Sequence, residues 1–348
     1  MDISALDAKY EAQKIAFAPV VFQAVRAALN LGILEAISKK RTGIDNEGIA
    51  EKTGISIYGI EVLLELLENV NVVESENGQY KITKIGFFLL RDTLTKVNFN
   101  FTNDVCYQGL HDLDLSIKNC KPEGLKVFGE WDTVYEALSQ LPKDVQKSWF
   151  DFDHYYSDTS FAEALPVVFS DNPKMIYDVG GNTGKFTTQC IEYTDDVNVT
   201  MVDLPGQLGM AKENFKSHPN SDRVHYYEMN LLDQNSKFEG QTDVVWMSQF
   251  LDCFSKPEIV SILARVKTAL KPDGSIYIME TFCDRQKYPA SEFSLLCTSL
   301  YFTSIANGNS RMYNLDPFIE CVELAGLKVV EQFDEIGVSH SILKCQLA

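Results

Sequence analysis

From Pro173 onward, short apolar runs alternate with longer segments of helical spacing. The runs have the length and the β-branched content of buried strands. The predicted strands are 175–179, 198–202, 224–228, 243–247 and 275–280, with helices near 185–193, 206–215 and 257–270. A last set predicts a helix at 314–325 and strands at 327–333 and 339–347, close enough to form an antiparallel hairpin at one edge. Strands separated by helices predict a parallel, doubly wound α/β sheet of the Rossmann-like kind.

The beginning of the chain has a helical pattern instead. Residues 16–37 carry apolar side chains at helical spacing with little charge, and Pro19 falls in the predicted first turn, where proline is tolerated. A helix this apolar belongs either to a deep core or to a contact between subunits, and the sequence favours neither.

A helix-turn-helix pattern with a hairpin comes next. Asp45 begins a short helix that Gly54 ends, and Ser56 caps a second helix that runs to about Asn69. Two β-rich runs on either side of Asn77-Gly78 predict a hairpin with a primed turn. The combination predicts a mostly α-helical winged-helix domain.

Winged helices often bind DNA, but the charges of this one argue against it. The second helix holds Glu61, Glu65 and Glu68 and no Lys or Arg. Glutamates are repelled by phosphates. We therefore expect a winged helix kept as a packing module.

Composition and charge narrow the class of protein further. The 348 residues suffice for two domains, and 45% hydrophobic with 23% charged residues is typical of a soluble globular protein. The net charge of −18 argues against a nucleic-acid partner, because phosphate binding rests on Lys and Arg. No apolar run reaches the ~20 residues of a membrane span, and residues 1–7 lack the basic start of a signal peptide. We expect a cytoplasmic protein with no membrane partner.

The eight cysteines show no C-x-x-C pair and no histidine at metal-ligand spacing. In a reducing compartment they are expected to be free thiols. We therefore predict no metal site.

The chain is organised around residues 175–184, a strand that breaks into three glycines, Gly180, Gly181 and Gly184. The dinucleotide fingerprint would need glycine at 182 and 185, which are Asn and Lys, and the phosphate loop would need Ser or Thr where Phe186 stands. What remains is a strand, a tight turn and a helix start, in which backbone N–H groups approach a bound ligand.

The residues after the next two strands fit a nucleoside. Ligands of such sheets bind outside the carboxyl ends of the strands, at the switch point. Asp203 follows the second strand, 19 residues after Gly184, and can accept both hydroxyls of a ribose. Asn230 and Leu231 follow the third strand and offer an adenine both a hydrogen bond and apolar contact.

The Asp-x-Gly-x-x-x-Gly turn resembles motif I of the S-adenosylmethionine-dependent methyltransferases. Nearly the whole chain resembles the small-molecule O-methyltransferases that include plant caffeate and flavonoid enzymes and bacterial antibiotic and pigment enzymes. The motifs that carry the resemblance occur in the family's order: Asp178-Val-Gly-Gly-Asn-Thr-Gly, Asp203-Leu-Pro, Glu228-Met-Asn-Leu in place of Gly-Asp-Met, Lys271-Pro-Asp-Gly, Glu280, Gly308-Asn-Ser-Arg and Ala325-Gly-Leu.

The resemblance implies S-adenosylmethionine as cofactor and a homodimer in which the partner's N-terminal helices close each pocket. It also implies an N-terminal winged-helix dimerisation domain at 1–110, a helical linker lining the substrate pocket at 111–165 and a methyltransferase domain at 166–348. The predicted cofactor-binding residues are Asp178, Gly180, Gly181, Gly184, Asp203, Leu204, Asn230, Leu231 and Ser248.

One departure from the family concerns the catalytic base. The family has His-Asp-Trp after the fourth strand, with the His as general base, but here Asp252 stands at the His position. Glu280 falls where the family has a carboxylate beside that His. An ordinary aspartate lies about 6 pKa units below a phenol, which makes it a weak base unless burial next to Glu280 raises its pKa.

Two other histidines are candidates for the missing base. His154 occupies the Met position of a segment that lines the family's substrate pocket, and His111 lies in the linker. A packed or surface imidazole is the alternative for both. We therefore predict Asp252, Glu280 and His154 as catalytic residues.

The function that follows is methyl transfer from S-adenosylmethionine to a hydroxyl of a small, aromatic metabolite. Three alternatives stay open on the sequence. The enzyme could methylate a ring carbon of a phenol, the protein could be a non-catalytic winged-helix sensor of a metabolite, or it could be a catalytically inactive homologue with a structural role.

Overall fold

The computed structural model describes residues 3–348. The chain divides into two units, Met1–Phe99 and Asn100–Ala348. The first unit is mostly helical with one small hairpin. Its elements are α1 Ala5–Asn30, α2 Ile33–Ser38, α3 Asn46–Thr53, α4 Ile57–Asn69, β1 Val73–Glu76, β2 Gln79–Ile82 and α5 Lys84–Arg91, and α6 Thr93–Phe101 leads into the second unit.

The second unit begins with helices and continues as an α/β sheet. Its elements are α7 Leu113–Asn119, α8 Val134–Ala137, α9 Lys143–Val168, β3 Met175–Val179, α10 Lys185–Tyr193, β4 Asn198–Asp203, α11 Pro205–Phe215, β5 Val224–Glu228, β6 Thr242–Ser248, α12 Lys256–Val266, β7 Leu270–Glu280, α13 Pro289–Tyr301, α14 Leu315–Leu324, β8 Leu327–Ile336 and β9 His340–Leu347. Among the described residues, no helix is both long and apolar enough to cross a membrane.

The prediction of a single helix at 16–37 was wrong at its start and at its end. Helix α1 begins at Ala5, where the Ser4 hydroxyl accepts a hydrogen bond from Asp7 N, so Pro19 lies in the helix interior. Gly32 adopts a left-handed φ of 74° and separates α1 from α2. The apolar pattern missed the first turns of α1, where polar residues separate the exposed apolar ones.

The predicted helix-turn-helix and hairpin are confirmed. The Ser56 hydroxyl caps α4 by accepting from Gly59 N, and Asn77 and Gly78 both have positive φ, as a primed turn requires. Glu68 of α4 accepts hydrogen bonds from the N–H and the hydroxyl of Ser75, at 3.0 and 2.6 Å. One of the glutamates that argued against DNA binding thus ties the hairpin to its helix.

The doubly wound sheet and its edge hairpin are also confirmed. Its strand order is β5-β4-β3-β6-β7-β9-β8, with β3 to β7 parallel and β9 antiparallel to both of its neighbours. The order reverses between β3 and β6, which makes the carboxyl ends of these two strands the switch point.

Side chains along the strands alternate between two cores. Val245 and Met247 pack with helices α12 and α14, whereas Val244 and Trp246 pack with α9, α10 and α11. The sheet therefore has helices on both faces, and only the strand ends are open to a ligand. A third core, rich in aromatic rings, joins the helices before β3 to the segment 283–312.

Candidate active site

A cavity of about 330 Å³ opens at the switch point of the sheet. Ten predicted site residues line it: His154, Asp178, Gly180, Gly181, Asp203, Leu204, Asn230, Leu231, Ser248 and Asp252. Gly184 and Glu280 are not among the lining residues. Four predicted strand ends and a distant helix thus meet at one cavity.

The turn after β3 leaves space where a side chain would be. Gly180 has a φ of 75°, and a Cβ placed there would lie 2.3 Å from Cδ2 of Phe250, across the switch point. Gly184 also has a positive φ, but a Cβ there would meet the ring of Phe215 at 2.5 Å. Gly180 therefore keeps the cavity open, whereas Gly184 allows the packing at the start of α10.

Asp203 holds this turn in place. Its two carboxylate oxygens accept hydrogen bonds from Asn182 N at 2.9 Å and from Leu204 N at 2.7 Å. Burial raises the pKa of Asp203 to about 6, although these two N–H groups lower it. Each oxygen retains a further lone pair, so the carboxylate can still accept from the hydroxyls of a ligand.

Several polar atoms at the cavity are buried without a hydrogen-bond partner among residues 3–348. They include Asn182 Oδ1, Thr183 Oγ1, Ser248 Oγ and Gln249 Oε1, and all four of these residues line the cavity. Buried polar groups in native proteins are normally paired. A ligand with several polar groups would satisfy them, which fits a nucleoside with an amino-acid tail.

The wall after β5 combines apolar and amide groups. Met229 and Leu231 are buried, whereas Asn230 is exposed. The Asn230 side-chain oxygen accepts from Leu232 N at 2.9 Å, which leaves its amide group as a donor. This surface suits the edge and the face of a purine.

Asp252 and Glu280 form a buried acid pair, but only Asp252 lines the cavity. Burial raises the pKa of Asp252 to about 7. Burial and the charge of Asp252 also raise the pKa of Glu280 well above its usual value. Glu280 Oε1 accepts from Phe250 N and Leu251 N at 3.0 and 2.8 Å, so this side chain holds the loop that carries Asp252.

We expect Glu280→Ala to lower the melting temperature by several degrees. The two loop N–H groups would lose their acceptor, at about 1–3 kcal/mol for each one left buried. Glu280→Gln retains an acceptor oxygen and removes a buried charge, so its melting temperature should stay close to that of the parent. Calorimetry of both variants at one pH checks this; equal losses would mean that the charge, not the acceptor oxygen, holds the loop.

The structure separates the two candidate histidines. His154 lies on α9, lines the cavity and places Nδ1 3.3 Å from Asp158 Oδ1. Burial lowers the pKa of His154, but the bond to Asp158 and the charge of Asp153 outweigh this, so its pKa is raised overall. His111 is exposed on a 3-10 turn and is not a lining residue.

Aromatic rings form a further part of the cavity wall. Phe101 and Phe152 stack with centroids 3.9 Å apart, and Trp149 Nε1 donates to the Tyr301 hydroxyl at 2.7 Å. These residues line the cavity; Trp149 and Phe152 lie within the segment 111–165 that was expected to line the pocket, whereas Phe101 and Tyr301 lie outside it. The wall suits a flat apolar molecule.

Asp153, Asn182, Thr183 and Gln249 are cavity residues that the sequence interpretation missed. Asn182 and Thr183 lie inside the glycine turn and could have been found from it. Asp153 and Gln249 carry no motif. No group of three or more His, Cys, Asp or Glu side chains within 3–348 is arranged to hold a metal ion.

Two family models match this chain. The model of the Dimerisation2-like domain matches residues 9–80, and the model of the O-methyltransferase domain matches residues 157–326. The first covers helices α1 to α4 and the hairpin, and the second covers most of the sheet and the cavity loops.

Curated relatives and solved structures agree with these matches. Acetylserotonin O-methyltransferase of Gallus gallus is 21% identical over 77% of this chain and 78% of its own. The 3-amino-4-hydroxybenzoate 4-O-methyltransferase of Streptomyces cremeus is 24% identical over 76% of this chain and 71% of its own. The crystal structure of human N-acetylserotonin methyltransferase in complex with S-adenosylmethionine has the same fold, with a TM-score of 0.70, 16% identity and 100% coverage of both chains.

Proposed function

The chain belongs to the S-adenosylmethionine-dependent O-methyltransferases with an N-terminal dimerisation domain, and we propose that it methylates a hydroxyl of a small aromatic metabolite. The observation that carries the proposal is the joining, in one cavity, of the nucleoside-fitting turn and an aromatic wall with a buried carboxyl group. Because the chain is an enzyme of this family, a non-catalytic sensor and an inactive homologue are set aside.

The cofactor is S-adenosylmethionine, and the residues of the turn fit it. Asp203 would accept the ribose hydroxyls, and Asn230 and Leu231 would contact the adenine. Gly180 and Gly181 would let the backbone of the turn approach the cofactor. Asp178, which precedes them in the chain, is buried and accepts a hydrogen bond from Thr187 Oγ1 at 2.6 Å. The amino-acid part of the cofactor would contact the unpartnered oxygen atoms of the cavity, including Ser248 Oγ. Leu204 and Gly184 keep the turn in shape.

The bound cofactor supplies an electrophilic methyl group on a sulfonium, and the protein's task is to align and deprotonate the acceptor. Asp252 is our candidate base. With its pKa near 7, the gap to a phenol of pKa ~10 shrinks to about 3 units, or roughly 4 kcal/mol, from about 6 units for an ordinary aspartate. His154 is a poorer base near neutral pH, because its pKa is raised and the imidazole is more often protonated.

The acceptor is proposed to be aromatic because rings form much of the cavity wall. The names of the relatives point the same way, since acetylserotonin and 3-amino-4-hydroxybenzoate are both aromatic.

The test is incubation of the purified protein with S-adenosylmethionine and a panel of phenols, followed by NMR of the products. A methoxyl signal is the expected result. An aryl-methyl signal would instead establish methylation at carbon. Absence of calorimetric heat with S-adenosylhomocysteine would overturn the cofactor site itself.

A homodimer through α1 is part of the proposal. The Dimerisation2-like match includes α1 from residue 9 onward. The apolar side chains of this helix are largely exposed, with Leu6, just before the match, at 81% and Ile15, within it, at 77%. Exposed apolar surface of this kind marks an interaction site. Eight free thiols also support a reducing, cytoplasmic location.

We expect Leu6→Glu with Ile15→Glu to convert the dimer to a monomer at micromolar concentration. Each buried aliphatic side chain contributes about 1.5–3 kcal/mol, so the dissociation constant should rise at least 100-fold. Sedimentation equilibrium measures it, with Lys9→Glu on the same helix as the control. A parent protein that is already monomeric would contradict the proposal.

A further inference from the structure

The end of the cavity that faces the aromatic wall contains two acids, Asp153 and Asp252, and no Lys or Arg. Asp153, Asp252 and Tyr301 line the same cavity, and Asp153 directly follows Phe152, whose ring stacks on Phe101 in the aromatic wall. The basic side chains among the lining residues are Lys185 and His154, at the glycine turn and on α9. The acceptor end is therefore negatively charged.

Neither acid has a cationic partner within residues 3–348. Asp153 Oδ2 accepts from Asn182 Nδ2 at 3.2 Å, and no ion pair includes Asp153 or Asp252. The neighbouring His154 directs its Nδ1 to Asp158 instead. Asp252 receives a side-chain contact from Cys253 Sγ, 3.4 Å from its Oδ1. The side-chain donors to these two carboxyl groups are thus an amide and a thiol, and neither carries a positive charge.

A second feature of this place is an unpartnered carboxyl oxygen. Glu280 is only 2% exposed, lies next to Asp252, and its Oε2 has no hydrogen-bond partner among the described residues. Three carboxyl groups are therefore desolvated together. A buried carboxylate is costly unless a cation or several donors compensate it, and no ion pair among the described residues includes any of these three carboxyl groups.

The aromatic wall adds a favourable surface for a cation. Phe101, Phe152 and Tyr301 line the cavity around Asp153, with Phe101 and Tyr301 in an edge arrangement at 4.9 Å. An ammonium group over such rings is attracted by their π electrons, the more so when it is desolvated. An acid beside several rings is a combination that binds protonated amines.

We propose that the acceptor carries a protonated nitrogen as well as its hydroxyl, and that Asp153 binds this nitrogen within the aromatic wall. The inference rests on the proposed function and names its substrate class, a hydroxylated aromatic amine. Asp252 remains free to accept the hydroxyl proton, and its ionised form favours the same cation.

The cofactor has an ammonium group of its own, which is the other possible partner of Asp153. The place of Asp153 directly after Phe152 of the aromatic wall favours the acceptor, whereas its bond to Asn182 of the glycine turn favours the cofactor. The two sources are separated by measuring cofactor and acceptor binding independently.

The experiment compares tyramine with 4-propylphenol, which has the same shape with a methyl group in place of the ammonium. Binding of each is measured by calorimetry with S-adenosylhomocysteine present, and kcat/KM is measured with S-adenosylmethionine. The proteins are the full-length parent, Asp153→Asn, and Asp151→Asn as control. Asp151 is exposed on the same helix and pairs with Lys147, an exposed pair of small energetic value.

We expect the parent to prefer tyramine roughly 10- to 100-fold, the range for a hydrogen bond to a charged group. Asp153→Asn should bring this preference close to one, while Asp151→Asn should keep it.

Equal or tighter binding of 4-propylphenol by the parent, or no binding of either molecule, would overturn the inference. So would a loss of S-adenosylhomocysteine affinity in Asp153→Asn with the tyramine preference intact, since Asp153 would then serve the cofactor. If 4-propylphenol is methylated as well as tyramine, only this inference fails; if S-adenosylhomocysteine does not bind the parent, the proposed function fails.

Discussion

Asp252→Asn is expected to lower kcat by roughly 10²- to 10⁴-fold, the usual contribution of a general base. The amide has nearly the shape of the carboxyl group but cannot take a proton, so the acceptor hydroxyl would have to ionise unaided. Affinity for S-adenosylhomocysteine should change little, because Asp252 is not one of the predicted cofactor-binding residues. Single-turnover kinetics with an excess of enzyme measures the methyl-transfer step directly.

The pH dependence provides the second part of this test. Burial raises the pKa of Asp252 to about 7, and only the ionised form can accept a proton. The rate of the parent should therefore fall about tenfold for each pH unit below 7 and level off above it. His154→Phe is the matched variant, because a phenylalanine fills the space without titrating. If that variant abolished the low-pH limb while Asp252→Asn retained it, His154 would be the base.

Asp203→Ala is expected to weaken S-adenosylmethionine binding by at least about 100-fold. Two hydrogen bonds from ribose hydroxyls to a charged acceptor contribute about 1.5–3 kcal/mol each. The same substitution also releases Asn182 N and Leu204 N, which hold the glycine turn. Calorimetry with S-adenosylhomocysteine measures the loss.

Two further variants show whether the effect is local. Asp203→Asn keeps one acceptor oxygen and should bind with intermediate affinity. Asp222→Ala removes an exposed acid on a 3-10 turn and should bind like the parent. A parent-like affinity in Asp203→Ala, with an unchanged melting temperature, would remove Asp203 from the cofactor site.

The sheet was predictable because each of its strands is a short apolar run with a break at both ends. Strand β3 spans 175–179 as predicted, and β4 extends one residue further, to Asp203. Strand β7 begins five residues earlier than predicted, because its register against β6 shifts between Thr242 and Val244 and takes in Lys271-Pro-Asp-Gly. Such an irregularity depends on the partner strand and leaves no local pattern.

The site was predictable where it follows strand ends and unpredictable where it does not. Asp203 and Asn230 occupy fixed places after β4 and β5, so the order of elements sufficed to find them. Asp153 lies in the middle of a 26-residue helix, and it becomes a cavity residue only because α9 packs beside the glycine turn. Glu280 was expected beside the base, but its contact with the loop N–H groups came from the structure alone.

The sequence by itself determined the elements of this protein, the glycine turn and the loss of the family's histidine, because periodicity and motif spacing are properties of neighbouring residues. The tertiary structure decided which acids meet and how strongly each holds its proton. Asp153, Asp252 and Glu280 come from three distant segments, and the pKa of each depends on how much water the surrounding packing removes. Burial is a property of the whole fold. The sequence could therefore locate the residues of this site, but it could not determine their pKa values.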